Sequence, residues 1–349
     1  MVKPKTGILQ IFTGPHGARL AWVLPLLSFL TFISSWAAVY PARWVERWYA
    51  RGLFPKLSQL AGLIADSVSI SWLDVLLPLG TILLVIVVRG RRWRLLLNVA
   101  AGLYLVFFWT WGLNYHRERL ASKLQLDSVR MKPEAMREFG KTAVEAINRL
   151  YAEKEKRGYD EMHVREETVR RVRRVVAVID NLDWDAAQRI KISRIGSVWM
   201  RAAGIEGVFN PIGHEPTIKN SLLDVERPFV MAHELAHVRG YPEEGDANVI
   251  AAFATLMSDD PAFQYSGWLN LWPYLATRDL GPLLHKGPRD DLQRISDRAQ
   301  SEQIEWINDF QRALLDLFLK ANNVEQGVRS YSRVVLLVAG AQESWERFR

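Results

Sequence analysis

Cysteine is absent from the 349 residues. That excludes disulfides and metal sites built on thiolates. Histidine is scarce, at seven, so a cluster of histidines carries information. Charge is missing from two long stretches. No residue from Leu20 to Ala42 is charged, and none from Leu95 to Tyr115. Each run is long enough to cross hydrocarbon as a helix, which needs about 20 apolar residues. The first does not read as a cleavable signal, because its apolar part is too long and no A-x-A site follows.

A third segment, around Ser71 to Val88, carries one acid, Asp74, near its start. It is read as a further span with Asp74 at headgroup level. Trp22, Trp36, Trp44, Trp72 and Trp93 cluster near the ends of these segments, as an interfacial aromatic belt would. Between the first two spans, Arg43 to Asp66 interleaves Trp44 and Trp48 with Arg43, Arg47 and Arg51. This is the pattern of a helix lying in the interface, or of an ordinary solvated loop. The connector "RGRRWR" holds the densest basic cluster near any span, and the positive-inside rule puts it in the cytoplasm. Three spans then put the chain after Tyr115 outside, although Arg43, Arg47, Arg51, Lys56, Arg117, Arg119 and Lys123 would also face outward.

A chain of this length is expected to form at least two units. The division is residues 1–116, a membrane domain with three transmembrane helices, and residues 117–349, a soluble domain. The net charge of +7 does not imply nucleic acid. The arginine-rich run from Val164 to Leu182 reads as the solvated face of a helix, and no nucleic-acid motif accompanies it. Lys132 to Gly158 has helical spacing. Between Ile190 and Asn220, glycine, proline and asparagine punctuate short apolar pieces, which reads as strands and turns. Asp290 to Ala321 reads as one long amphipathic helix, and Ser330 to Trp345 as a shorter last one.

The chemistry concentrates in "MAHELAHVRGYPEEGDAN", Met231 to Asn248. "HELAH" fits the H-E-x-x-H pattern of metal-dependent hydrolases. At 100° per helical residue, His233 and His237 lie about 40° apart and address one ion. Glu234 falls about 60° beyond His237, within reach of a water on that ion. A chance match is expected on the order of 0.01 times in such a chain. A catalytic zinc needs three protein ligands and a free position. Gly240 suits a helix end, and Pro242 the first turn of a new helix with Glu243 and Glu244 near its positive end. The third ligand is open at this point among Glu243, Glu244, Asp246 and Asn248. Asp259 and Asp260 suit a turn or a cap. Tyr241, Tyr265, His214 and Arg239 are candidate donors to an oxyanion. "EPTIKN" is either an edge strand for a substrate peptide or a core strand.

Glu244 to Asn248, "EGDAN", is similar to the E-x-x-A-[DN] helix of gluzincin-type metallopeptidases. That resemblance implies Glu244 as the third zinc ligand and Asn248 as its support. "GIEGVFNP", "EPTIKNS", "PFVMAHELAHVRG", "EEGDAN", "DPAFQYSGWL" and "WGLNYHRERL" together resemble the DUF3810 family of bacterial membrane proteins, over about Leu95 to Leu337. Gly245-Asp246 departs from that family, whose members usually read Asp-Glu there. The expectation is a mainly α protein of the bacterial inner membrane. About three N-terminal transmembrane helices precede an extracytoplasmic, gluzincin-like α+β zinc metallopeptidase domain with a small sheet. Zn2+ would activate a water, with Glu234 as general base, and the partners would be the lipid bilayer and a peptide or protein substrate. The alternative is a non-catalytic, metal-binding membrane sensor or scaffold. An intramembrane protease is disfavoured, because the charges in "DVERP" and "PEEGD" beside HELAH are costly in hydrocarbon.

Overall fold

The computed structural model describes residues 22–187, 189–321 and 333–349. The chain is mainly helical, with one small mixed sheet. Helix α1 spans Val23–Trp36. Helix α2 joins Ala42–Trp44, a π-helical stretch Val45–Leu53, and Phe54–Asp66. Helices α3 (Trp72–Arg89) and α4 (Trp93–Thr110) form a hairpin closed by the arginine-rich connector. Each has 18 residues and is long and apolar enough to cross a membrane. The first apolar run gives a helix of only 14 described residues, about 21 Å at 1.5 Å per residue. Residues 20–21 and 330–332 lie outside the described ones.

Tryptophans mark both ends of the α1, α3 and α4 group. Trp22 lies against Trp93 at the connector end, 6.1 Å between rings. Exposed Trp36, Trp44, Trp48 and Trp109 mark the other end. There α2 turns Val45, Tyr49, Phe54 and Gly62 toward the rest of the protein. A Cβ on Gly62 would stand 2.8 Å from the Ala187 nitrogen, so the approach is close. The opposite side of α2 carries exposed Leu60, Leu63 and Ile64, which are i, i+3 and i+4 on one stripe.

The remaining chain forms α5 (Pro133–Arg157) and α6 (Glu161–Asp180), close to the expected bounds. Next come β1 (Lys191–Ser193), α7 (Ile195–Ala203), β2 (Gly207–Asn210) and β3 (Glu215–Lys219). Helix α7 falls where strands and turns were expected. Its start is held from outside its own segment: Asp74 accepts the Arg194, Ile195 and Gly196 amides and the Ser193 hydroxyl. Strand β3 runs parallel to β1 and antiparallel to β2, with Thr217 opposite both Lys191 and Val208. Glu215–Lys219 of "EPTIKN" is therefore a buried central strand paired on both sides, and β2 is an edge among the described residues.

Helices α8 (Arg227–Val238), α9 (Glu244–Leu256) and α10 (Pro261–Leu275) form the core. Asp260 caps α10 through the Ala262 amide. The single long helix expected from Asp290 is two: α11 (Lys286–Glu302) and α12 (Glu305–Ala321). Gln303 is extended, and the Ile304 amide donates to Ala202 of α7 instead of continuing the ladder. The chain closes with α13 (Arg333–Gly340) and a 3-10 turn, Gln342–Phe348.

A buried charge cluster joins α2, α6 and the turn after α8. Arg117 donates to Glu46 and Asp180 at 3.0 Å each and to the Gly240 carbonyl at 3.0 Å. Lys123 donates to the same two carboxylates. Burial opposes the Asp180 charge, yet Arg117 and Lys123 prevail and hold its carboxyl down to about 2. Its stabilising share is therefore complete above the ordinary value of 3.8 and is lost as pH falls through about 2. Removing one member of a buried pair leaves an uncompensated charge. Arg117→Ala should destabilise the full chain by about 3–5 kcal/mol, read as a lower denaturant midpoint in micelles. An unchanged midpoint would count against the cluster.

Candidate metal centre

Helix α8 ends where glycine permits it. The Tyr241 amide reaches back to the Ala236 carbonyl at 3.2 Å, and Gly240 turns the chain at φ +79°. A Cβ there would also meet Phe54 at 2.7 Å. The reversal sets the first turn of α9 against the polar face of α8. Pro242 lies in the link rather than in the new helix. Glu243 occupies the N-cap position without a side-chain cap bond, and Glu244 begins α9.

His233, His237 and Glu244 offer ligand atoms that all lie within 4.8 Å of one another. The two Nε2 atoms are 3.0 Å apart, and Glu244 Oε2 is 3.1 Å from one and 3.8 Å from the other. The edge of a tetrahedron with 2.0–2.1 Å bonds is about 3.3 Å. The outer nitrogens are committed elsewhere. His237 Nδ1 donates to the Tyr241 carbonyl at 2.7 Å, which turns Nε2 toward His233 and Glu244. His233 Nδ1 bonds Asn248 Oδ1 at 2.9 Å. Such outer partners fix the ring orientation of metal-binding histidines. The residues present fit a tetrahedral divalent ion with one position left open.

Glu234 is buried beside this group, and its Oε2 has no hydrogen-bond partner among the described residues. Burial raises its carboxyl to about 7 despite the two histidines. Gly207 of β2 makes room for it, since a Cβ there would stand 2.7 Å from Glu234 Oε1. Burial opposes the charge of His237, but Glu244 outweighs it and raises the imidazole to about 9. Burial would raise Glu244, but the hydrogen bonds of both histidines hold it well below the carboxylate range. A metal replaces the shared proton in such a cluster.

The group opens into a cavity of about 750 Å³ between β2, the C-terminal end of α4, α7 and α12. Asn248 lines it. Several expected donors do not. Tyr241 is buried beneath the site, donating to Asp180 at 2.6 Å under the Arg117 guanidinium. Tyr265 donates to Asp291 at 2.9 Å, on the α10–α11 side. His214 bonds Ser58 at 2.6 Å, and burial lowers it to about 4. Arg239 donates to the Trp184 carbonyl and stacks on that ring. Asp246 accepts the Leu120 amide at 3.3 Å, and burial followed by Glu243 raises it to about 7.

The cavity contains residues that spacing along the chain does not disclose. Tyr115 lies close enough for the charges of Glu244 and Glu243 to add to burial in raising its hydroxyl. Tyr274, Asn270 and Arg312 line the wall. Trp111 lines it too, and its indole N–H donates to the His237 carbonyl at 2.9 Å. Trp111→Phe removes that donor and leaves the His237 carbonyl with the Gly240 amide, at 3.0 Å, as its remaining partner. It should lower stability by about 0.5–1.5 kcal/mol, measured by denaturant unfolding. A neutral result would make the bond incidental.

A family model described as "Protein of unknown function (DUF3810)" matches residues 49–339. No curated protein and no solved structure matches the chain. The matched stretch contains most of α2, both long apolar helices and the whole His233–His237–Glu244 group. The chain belongs to the DUF3810 family.

Proposed function

We propose that this protein is a membrane-anchored, zinc-dependent metallopeptidase related in its site to the gluzincin type. The observation that carries the reading is the convergence of His233 Nε2, His237 Nε2 and Glu244 Oε2 beside the buried Glu234 carboxylate, whose Oε2 has no partner among the described residues. Those three residues would hold the ion. Zinc bound there would supply an activated water and polarise the scissile carbonyl.

The protein's own groups do the rest. Glu234 takes a proton at its carboxylate and hands it to the leaving amine. Hydrolysis adds one water across the amide and leaves a carboxylate and an amine. Gly207 keeps space for Glu234, and β2 offers an edge along which a peptide can add by backbone pairing. Asn248 and the Tyr241 carbonyl hold the histidine rings.

The anchor comprises α3 and α4 as spans. The four arginines of the connector lie at the hairpin end away from the metal group, which favours that end in the cytoplasm and the site outside. Two opposing charges drop out of the count, because Arg117 and Lys123 are consumed in buried pairs.

Purified full-length protein should carry one zinc per chain, and His237→Ala should lose it. Glu234→Gln should keep the metal and lose about 10²- to 10⁴-fold in turnover of a quenched-fluorescent peptide library. Asn248→Ala should weaken zinc by about 10- to 100-fold in chelator competition. Metal bound without any Glu234-dependent turnover would favour the sensor or scaffold instead. A periplasm-active reporter fused at the carboxyl end should be on. Activity only from a cytoplasmic reporter would overturn the orientation.

A further inference from the structure

Helix α12 has two unlike faces. Asn308, Gln311, Arg312 and Leu315 line the cavity. Trp306, Phe310, Leu314 and Leu317 are exposed, Trp306 by 71%. At 100° per residue the exposed set falls within about 80° of arc, and its centre is about 155° from that of the cavity set. The apolar stripe thus points directly away from the cleft. Helix α7 also exposes Ile195 and Val198, Val198 by 61%, while Trp199 beside them reaches the cavity wall. Its other face buries Met200 and Ala203.

These stripes are continuous with the apolar helices. Asp74 in the first turn of α3 holds the start of α7, and a Cβ on Gly196 of α7 would meet Leu73 at 2.5 Å. The end of α7 meets the start of α12: the Ile304 amide donates to Ala202 at 2.9 Å, and Asn308 Nδ2 donates to Ala203 at 2.9 Å. Helix α2 also exposes Leu60, Leu63 and Ile64, with Ile70 exposed just before α3. Further along α3, Ile82, Leu83 and Ile86 are exposed. An apolar surface of this extent does not stay in water. An amphipathic helix beside a span lies in the headgroup boundary with its apolar face toward the acyl chains, and tryptophan is favoured at that depth.

We infer that α7 and α12 form a membrane-surface element whose apolar stripes enter the outer part of the same bilayer that takes α3 and α4, so that the cavity opens at the headgroup level. The occupant of the stripes is lipid. The inference rests on α3 and α4 being spans and is independent of the metal.

The absence of cysteine makes the test direct, since any introduced thiol is unique. Phe310→Cys and Leu314→Cys in the full chain are labelled with an environment-sensitive fluorophore. The protein is reconstituted in phosphatidylethanolamine–phosphatidylglycerol vesicles containing lipids brominated along the acyl chain. Leu83→Cys on α3 is the span reference, and Glu305→Cys and Asp309→Cys are the polar references on α12. Quenching by brominated lipid at 310 and 314 should approach that at 83 and exceed that at 305 and 309 several-fold. Iodide in water should give the reverse order. Strong lipid quenching at 83 with none at 310 and 314 would overturn the inference and leave the spans standing. Labels at 310 and 314 shielded from iodide but not quenched by lipid would overturn it in favour of a protein surface, such as a second copy. No lipid quenching at 83 would remove the span reading and this inference together. Chelating zinc should change none of these readings.

Discussion

A single buried guanidinium holds the centre of this molecule in register. Arg117 lies between the carboxylates of Glu46 and Asp180 and also binds the Gly240 carbonyl. Taking such a charge out of water costs several kcal/mol unless partners surround it, and here two acids, a carbonyl and the face of Tyr241 do so. The consequence passes outward by one bond at a time. Asp180 and Arg117 fix the Tyr241 ring, the Tyr241 carbonyl fixes His237 Nδ1, and His237 Nε2 then faces His233 and Glu244. The geometry of the His233–His237–Glu244 group is thus set by a charge cluster that does not line the cavity. Glu46 comes from the π-helical part of α2, so the segment between the apolar helices is part of this support.

The site also carries a deliberate defect. Buried polar atoms are nearly always paired, yet Glu234 Oε2 is not, among the described residues. Hydrogen-bond donors there would stabilise the carboxylate and quiet it. Gly207 leaves room for the side chain without supplying a partner. The burial that raises Glu234 is the same burial that makes the missing bond costly.

Much of this was legible in the chain because local rules and tertiary structure agree. The 100° step puts His233 and His237 on one face, and Gly240 ends the helix where a left-handed residue is needed. Helices α5 and α6 fall where their apolar spacing puts them. Other features depend on partners far away in sequence. Helix α7 is started by Asp74 from another element, so its own residues read as strands and turns. The break before α12 exists because α7 offers the Ala202 carbonyl. "EPTIKN" has strand chemistry in any position, and only pairing on both sides makes it central. Tyr241, Tyr265 and His214 have the right chemistry for a site, but each spends its polar atom on a buried neighbour. Tyr115 and Trp111 reach the cavity from the end of α4; they lie in "WGLNYHRERL", a stretch that marks the family but assigns neither residue a role in the site.

Trp111 stands at the boundary between an apolar helix and the metal group, and one hydrogen bond ties it to the His237 carbonyl. Helix α4 has 18 residues, about 27 Å of rise. A bilayer of different thickness is matched by helix tilt. Tilt at the end of α4 acts on Trp111, and through it on the backbone of a histidine whose ring position fixes the ligand triangle. In the proposed membrane setting, bilayer thickness becomes a mechanical input to the His233–His237–Glu244 group, transmitted by an indole rather than by a hinge.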